Sequence, residues 1–335
     1  MYLLGTEIDA TQDYGRKKVT TSALLLGLVI IIYRYDTSKP RVRFRREESG
    51  PEEKARMVRR ILASLAISLC AGLAVAQTTG DRIDLYFGDR HGSTPRTTHG
   101  SLVEQDIFTR GDPQNPAHQG AVLRYINSYT YATLAPHAST KATRLDGEQQ
   151  IYFVESGRGA AKAAGQTVDL FRNVAVLVPA NLEFTLSNTG DQPLTMYVIS
   201  DPTPAGFRPN STMLVRDENK IPITSSDGLW DHIVKTLFVT ADGLGTLQSV
   251  LTVTLDPLTM GKPHVVDHDD IEEVWTALDG TSLAFVGNTL RRQTPGMAFY
   301  HIPDNKTPHT NINQNEDAQV RFLYFARYHP HEPRP

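Results

Sequence analysis

The chain has 335 residues, of which 40% are hydrophobic and 21% are charged, with a formal net charge of −3 at pH 7. This composition is typical of a soluble globular protein and has room for two ordinary domains. A net charge so close to zero gives no overall positive field, so we expect no nucleic-acid partner. The single cysteine, Cys70, excludes a disulfide framework or a cysteine zinc site within the chain.

The segment that begins at Met57 predicts a secretory signal peptide. Met57-Val-Arg-Arg precedes the apolar run 61–75, which ends in Ala74-Val-Ala. A basic region, a hydrophobic region and a small-residue cleavage site in this order are typical of such a signal. We therefore predict a signal peptide over 57–76 and a periplasmic or secreted mature protein without a stable membrane span. Cleavage would also remove the one cysteine and so exclude thiol catalysis.

Residues 1–56 contain a second apolar run, 23–33, with basic residues on both sides and no cleavage site after it. This run of about 11 residues is short for a membrane helix, which needs about 20. Our hypothesis is that Met57 is the true start and that residues 1–56 are a non-native extension. The alternative is a membrane anchor in residues 20–33, and N-terminal sequencing of the mature protein distinguishes the two.

From Asp81 onward, short apolar runs alternate with turn residues, which predicts an all-β sandwich, jelly roll or barrel. The polar segment 77–119 is expected to wrap the outside of a barrel. Residues 202–245 are predicted to be a linker with a short helix over 227–239, and residues 329–335 a flexible tail. The predicted strands are Ala121–Tyr125, Tyr129–Leu134, Gln150–Val154, Val174–Val178, Glu183–Ser187, Leu194–Ser200, Ser249–Leu255, Glu273–Leu278, Ser282–Val286, Ala298–Ile302 and Val320–Tyr328.

The strands form two series whose turns contain the same residue types in the same order. The shared segments are Gln149–Gly157, Val178–Asn181 and Asn188–Asp191 in the first series, and Glu272–Gly280, Ile302–Asn305 and Asn313–Asp317 in the second. Two tandem copies of one β-unit are the simplest explanation. We place the first copy over 120–201 and the second over 246–328.

The repeat resembles the cupin superfamily, whose motifs are G-x5-H-x-H-x(3,4)-E-x6-G and G-x5-P-x-G-x2-H-x3-N. The similar residues are Glu273 and Gly280 for the first motif, and Gly296, Pro303, His309 and Asn313 for the second. Val266 departs from the pattern, because it stands where the first motif has its first histidine. The resemblance covers about residues 120–328 and implies a bicupin, with two tandem cupin barrels of the jelly-roll (double-stranded β-helix) type. It also implies a homodimer paired through edge strands.

Four residues of the second copy predict a metal centre. His264 and His268 are four residues apart, so both face one side of an extended strand, and His264 can replace the histidine missing at Val266. Glu273 begins the next strand, and His309 returns across the cavity on a later one. Three imidazoles and one carboxylate suit one divalent Fe, Mn, Ni, Cu or Zn ion, and they leave positions open for substrate.

Two choices remain open at this centre. Glu272 is an alternative ligand to Glu273, because the run Asp269-Asp-Ile-Glu-Glu does not fix the register of the strand. Glu273 is also our candidate catalytic base if the metal releases it. The alternative to the whole site is that these residues are exposed at strand ends and loops.

The first copy lacks ligand-type residues at the corresponding positions. Lys141, Leu145, Gln150 and Phe184 fall at or near the places of the four predicted ligands. We therefore predict a degenerate, metal-free first barrel that shapes or supports the second.

A few other residues of the second copy are candidates for its cavity. Trp275, Phe299 and Tyr300 could line it or belong to the core. His301 is expected to point away from Tyr300, since strand faces alternate, and we assign it no role. On the last strand the register does not say whether Arg321 or Tyr324 faces the cavity.

The predicted function is a secreted or periplasmic metalloenzyme of the dioxygenase, decarboxylase, lyase or isomerase type, acting on a small organic molecule. The alternative is a non-catalytic small-ligand or sugar-binding bicupin with a structural metal, and a third role is storage without metal. The fold does not choose among these functions. The sequence leaves the substrate, the metal and the oligomeric state undetermined.

Overall fold

The structure, a computed structural model, describes residues 82–224, 233–266 and 270–328. The predicted signal peptide, the extension before it and the tail 329–335 lie outside these residues. In the described part, the chain is built almost entirely of β-strands in four sheets, which confirms the predicted all-β fold of two tandem jelly-roll barrels. No helix among these residues has the length and apolar character needed to cross a bilayer.

The first barrel consists of a large and a small sheet, both antiparallel except where β3 and β4 of the large sheet pair in parallel. Its strands are β2 (Arg96–Thr98), β3 (Leu102–Arg110), β4 (Ala121–Leu123), β5 (Ser128–Leu134), β6 (Thr143–Arg144), β7 (Glu148–Ser156), β8 (Arg158–Ala163), β9 (Gln166–Phe171), β10 (Val174–Val178), β11 (Glu183–Asn188), β12 (Leu194–Pro202) and β13 (Leu214–Asp217). The large sheet has the order β13-β10-β7-β12-β5-β3-β2, with β4 beside β3, and the small sheet has the order β6-β11-β8-β9. Apolar side chains from both sheets form one core between them.

The second barrel repeats this plan with fewer strands. Its strands are β1 (Phe87–Asp89), β14 (Ile233–Val239), β15 (Ser249–Leu255), β16 (Glu272–Asp279), β17 (Ser282–Val286), β18 (Thr289–Gln293), β19 (Met297–Tyr300), β20 (His309–Ile312) and β21 (Val320–Arg327). The large sheet has the order β1-β19-β16-β21-β15-β14 and the small sheet the order β18-β17-β20. Apart from β2, β4 and β6, which have no counterpart, both orders match those of the first barrel, which confirms the tandem repeat predicted from the turns.

The residues shared by the two copies hold equivalent turns. Gly157 and Gly280 have φ of +89° and +76°, and a Cβ at either would come within 2.5 and 2.9 Å of a carbonyl oxygen. Asn181 and Asn305 follow the two proline turns with φ of +65° and +54°. Glycine and asparagine are the residues that adopt this left-handed conformation most readily, so the turn geometry explains the repeated residue types.

The segment before the first barrel supplies strands to both barrels. β1 pairs with β19 of the second barrel, with Phe87 opposite Phe299, whereas β3 pairs with β5 of the first. The expected outer wrap is therefore partly a set of edge strands. Because β1 covers one edge of the second large sheet, it satisfies backbone groups that would otherwise be open to pairing.

The short helix predicted over 227–239 is wrong for its second half. Ile233–Val239 forms β14, which pairs with β15, and residues 227–232 include none that the structure describes. A β-bulge between Thr236 and Phe238 shifts the register and lets the neighbours Leu237 and Phe238 both be buried. Two consecutive buried apolar residues break strand alternation, which is why the sequence favoured a helix here.

The two barrels pack through the outer faces of their large sheets. The Tyr129 hydroxyl of the first barrel is 2.7 Å from the Thr276 hydroxyl of the second, and the rings of Tyr129 and Phe325 are 4.9 Å apart. The hydrophobic core that includes these residues draws on both barrels. Both faces of the large sheets are therefore buried, which explains continuous apolar runs such as Ile151–Val154.

Candidate metal centre

Three of the four predicted ligands lie together inside the second barrel. His264, Glu273 and His309 each offer a donor atom, and these three atoms lie within 4.8 Å of one another. Glu273 is on β16 and His309 is the first residue of β20. His264 pairs with His309 in an isolated antiparallel bridge, and their ring centres are 4.4 Å apart. The large sheet and the small sheet thus bring residues that are 45 positions apart to one point.

The fourth predicted ligand, His268, lies outside the described residues, as do Asp267 and Asp269. Its role as a ligand stays a prediction. Asp270 is only partly exposed and lies 3.5 Å from the Arg327 guanidinium. That ion pair holds the chain two residues before β16 begins.

The cluster is buried except at His264. Glu273 and His309 are 3% and 1% exposed, and His264 is partly exposed. The Glu273 Oε1 atom accepts a hydrogen bond of 2.6 Å from the Trp275 Nε1–H and lies 3.4 Å from the His309 Nε2 atom. Since Trp275 is two residues further along the same strand, its side chain shares the inner face with Glu273.

Hydrogen bonding prepares His264 for ligation. Its Nδ1 atom is 3.0 Å from the Lys262 carbonyl oxygen. A proton on Nδ1 directed to this acceptor leaves Nε2 with a free lone pair, which is the arrangement found for most metal-bound histidines.

The charges of the cluster favour an ionised carboxylate. Burial alone would raise the pKa of Glu273, but the hydrogen bond with His309 and the charges of His309, His264 and His301 outweigh it and lower that pKa to about 2. An ionised carboxylate is the form that binds a metal. The same low pKa makes Glu273 a weak proton acceptor at neutral pH.

The structure separates the two glutamates that the sequence left open. Glu272 faces the first barrel, where its carboxylate accepts backbone hydrogen bonds of 2.6, 3.0 and 2.9 Å from Arg124, Tyr125 and Ile126. Burial raises the pKa of Glu272 to about 7, against the opposing effect of these three donors. Glu272 therefore ties the barrels together, and Glu273 is the glutamate of the cluster.

His301 is the residue that sequence reasoning did not place at the site. It follows β19, and its backbone N–H donates to the Glu273 carbonyl oxygen over 3.0 Å. The expected opposite orientation of His301 and Tyr300 is not observed, since their rings stack with centres 5.9 Å apart. The His301 ring also lies 5.4 Å from that of His309, at the predicted metal centre. Burial, followed by repulsion from His309, lowers the pKa of His301 to about 3, so the imidazole is neutral at pH 7. The sequence contained one indication of this position: His301 is two residues after Phe299, and residues two apart in a strand face the same side.

The other cavity candidates divide between the two faces of the sheet. Trp275 packs on Tyr324 inside the barrel with ring centres 4.8 Å apart, and Phe299 lies 6.0 Å from His309. Tyr300 packs against Tyr86 on the other face. Arg321 also lies away from the interior and binds Glu218 and Asp279.

The donor set fits a divalent transition metal. Two imidazoles and an ionised carboxylate converge, and the His309 Nδ1 atom is buried without a hydrogen-bond partner among the described residues. Donor atoms bound to one metal, at about 2.0–2.2 Å each, are at most roughly 4.4 Å apart. The observed 4.8 Å limit is close to this value, so small side-chain adjustments would bring the three donors onto one cation.

The matching positions of the first barrel are filled by groups that bind metals poorly. Gln150 stands at the place of Glu273, and the Tyr152 hydroxyl donates to its Oε1 atom just as Trp275 donates to Glu273. Phe184 replaces His309 and Leu145 belongs to the apolar core. In the second barrel His264 lies opposite His309, and in the first barrel Thr143 lies opposite Phe184. Thr143 therefore takes the place that was predicted for Lys141, because the loop before β7 is two residues shorter than the loop before β16.

Similarity to known proteins identifies the fold as that of the cupins. Residues 130–200 match the family model of the cupin domain. No curated protein is significantly similar to the chain in sequence. A Pseudomonas aeruginosa protein described as glyoxylate-induced superposes with a TM-score of 0.56 at 14% identity, over 71% of this chain and 85% of its own.

Two further solved structures share the architecture. A Bacillus subtilis oxalate decarboxylase variant superposes with a TM-score of 0.54 at 10% identity, over 74% of this chain and 78% of its own. The vicilin of Corylus avellana gives 0.54 at 10% identity, over 72% and 85%. Residues 130–200 therefore form a cupin domain, and the chain as a whole has the two-barrel fold of a bicupin.

Such low identities establish the fold and leave the activity open. Together, the fold and the cluster of His264, Glu273 and His309 support a cupin metalloenzyme or a cupin binding protein.

Proposed function

We propose that this bicupin is a secreted or periplasmic metalloenzyme that acts on a small oxygen-bearing organic molecule. Its one divalent transition metal would be held in the second barrel by His264, His268, Glu273 and His309. The observation that carries the proposal is the convergence of three of these side chains in a buried site.

The metal, when bound, would supply Lewis-acid or redox chemistry to an oxygen-bearing ligand. The chain's own residues do the rest. Trp275 orients the Glu273 carboxylate through its N–H group, and the Lys262 carbonyl orients the His264 ring. Phe299 packs against His309, and Phe322 and Tyr324 pack against Trp275, so the neighbourhood of the cluster is rich in aromatic rings.

A dioxygenase, decarboxylase, lyase or isomerase reaction is compatible with this site. The similarity of the fold to an oxalate decarboxylase makes small carboxylates the first substrates to test. Glu273 as a catalytic base stays a prediction, and the low pKa of its carboxyl group favours the role of ligand over that of base.

That low pKa also favours a second candidate function, a non-catalytic binding protein with a structural metal. No carboxyl group of the described cluster titrates near neutral pH. The similarity of the fold to a vicilin shows that the architecture occurs outside proteins named as enzymes.

The first experiment is elemental analysis of the purified wild type and of His309→Ala. We expect about one transition metal per wild-type chain and less than a tenth of that in the variant. His118→Ala, at an exposed position of the first half, is the matched control and should keep full occupancy. Stoichiometric metal retained in His309→Ala would contradict the proposed centre.

The second experiment separates enzyme from binding module. Oxygen uptake and carbon dioxide release are measured with a panel of small carboxylates and phenols on the metal-loaded protein. Turnover that disappears in His309→Ala supports the enzyme. Bound metal with ligand binding but no turnover supports the alternative.

Localisation and assembly are tested separately. N-terminal sequencing of the protein from the periplasm or medium should begin at Gln77, and a start upstream of Met57 would contradict the proposed signal peptide. Sedimentation analysis tests the homodimer, which stays a prediction.

A further inference from the structure

His301 is a buried histidine of the second barrel whose two ring nitrogens could each bind a metal ion. Its side chain is 0% exposed, and neither ring nitrogen has a hydrogen-bond partner in the described part of the chain. Buried polar atoms are nearly always paired, since an unpaired one loses its hydration and gains nothing in return. A neutral imidazole with two unpaired nitrogens in a protein core therefore needs a partner beyond the residues that the structure describes.

The first barrel shows that the fold does not need a histidine at this position. His301 lies beside Glu273 on the neighbouring strand, and Val178 occupies the same place beside Gln150. Val178 is fully buried in an apolar core. Packing alone is thus satisfied by an aliphatic residue, and a histidine occurs in the barrel that carries the His/Glu cluster.

The distance from His301 to the cluster fits ligation. The His301 and His309 rings are 5.4 Å apart and inclined by 40°. With a metal–nitrogen bond of about 2.0–2.1 Å, two imidazoles on one cation have ring centres at most roughly 6 Å apart. The His301 nitrogens lie outside the tighter group formed by His264, Glu273 and His309, so ligation requires the His301 side chain to move towards that group.

We propose that His301 is an additional imidazole ligand of the metal centre in the second barrel. The inference rests on the proposed metal centre and adds to it a residue that neither the sequence motif nor the cluster of three contains. Ligation would give one of the two unpaired ring nitrogens a partner.

The test compares Co²⁺ binding to the full-length wild type, His301→Val and Tyr300→Phe. Valine is the residue of the first barrel at this place. Tyr300→Phe is the matched control, since Tyr300 is the adjacent buried residue and the change keeps its ring beside His301 while removing a hydroxyl that has no hydrogen-bond partner among the described residues. Competition titration gives the affinity, the visible spectrum of bound Co²⁺ reports its ligands, and thermal melting of the metal-free proteins reports folding.

We expect His301→Val to bind Co²⁺ about 10- to 100-fold more weakly, the range typical for disturbing a metal site, and to show a changed spectrum. The melting temperature without metal should be equal or higher, because two unpaired buried nitrogens are removed. Tyr300→Phe should match the wild type in affinity and spectrum. Should valine leave too large a void for folding, His301→Leu fills more of it and provides the same comparison.

Two outcomes overturn the inference in different ways. Affinity and spectrum unchanged in His301→Val, with Co²⁺ bound by the wild type, would make His301 a core residue and leave the metal centre intact. A wild type that binds no Co²⁺, Fe²⁺, Mn²⁺ or Zn²⁺ would remove the metal centre itself, and the proposed function with it.

Discussion

The two barrels share a strand order and an equivalent internal hydrogen bond, yet among the described residues only the second barrel brings two histidines and a glutamate together. In the first barrel Tyr152 donates to Gln150, and in the second Trp275 donates to Glu273. The position across from them is Phe184 in one and His309 in the other. The same backbone therefore accommodates either set of side chains, and a few residues decide whether the barrel interior is an apolar core or a candidate metal site.

The difference also has an energetic side. The interior of the first barrel is apolar and gains from burial, whereas that of the second keeps a carboxylate and several imidazoles out of water. Buried polar groups are costly unless they are paired, and a metal would provide the pairing. Functional sites commonly sacrifice stability in this way.

The largest expected effect comes from converting the second site into the first. The double variant Glu273→Gln, His309→Phe installs the side chains of the first barrel. Metal content should fall below a tenth of the wild-type value, because a charged ligand and an imidazole are lost together. Elemental analysis measures this, and circular dichroism checks the fold. Full metal content in a folded double variant would show that Glu273 and His309 do not hold the metal.

Phe325→Ala tests whether the barrels are one cooperative unit. Phe325 is fully buried and packs on Tyr129 across the interface. Truncating such a residue should cost about 3–5 kcal/mol of unfolding free energy. Urea denaturation followed by circular dichroism and by tryptophan fluorescence should give coincident transitions. A cost under about 1 kcal/mol would indicate that the barrels fold independently.

The pH dependence of the metal-free protein should differ between wild type and Glu273→Gln. The folded-state pKa of Glu273, about 2, lies below its ordinary value of 4.5. Its contribution to stability is therefore present above about pH 4.5 and is lost as the pH falls towards 2. A shift of this size corresponds to roughly 3 kcal/mol.

Melting temperatures of both proteins from pH 6 to pH 2 measure this difference. The wild type should lose more stability on acidification than Glu273→Gln. Parallel curves would show that Glu273 is not held in its ionised form by the neighbouring imidazoles.

The smallest expected effect distinguishes the two equivalent hydrogen bonds. Trp275→Phe removes the donor to Glu273, and we expect about a tenfold loss of metal affinity, as for other groups that orient ligands. Tyr152→Phe removes the donor to Gln150 and should leave metal affinity unchanged. A competition titration with Co²⁺ measures both. Equal affinities in the two variants would show that the orienting hydrogen bond of the second barrel has no functional role.

Much of the fold was available from the sequence because strands and tight turns are local features. The strands Val174–Val178, Ser249–Leu255 and Ser282–Val286 were predicted with the bounds that the structure has. The tandem repeat was visible because Gly157 and Gly280 occupy backbone conformations that few other residues adopt. Residue type and spacing were enough to select His264 and His309 as candidate ligands and to narrow the carboxylate to Glu272 or Glu273.

The tertiary structure decided what depends on register and on distant pairing. The bulge in β14, the exchange of β1 into the second barrel and the choice between Glu272 and Glu273 all follow from which strands meet. A shift of one residue turns a side chain from the cavity to the other barrel, and no local pattern fixes that register. For the same reason only the packed barrel shows that His301 faces the interior beside His309.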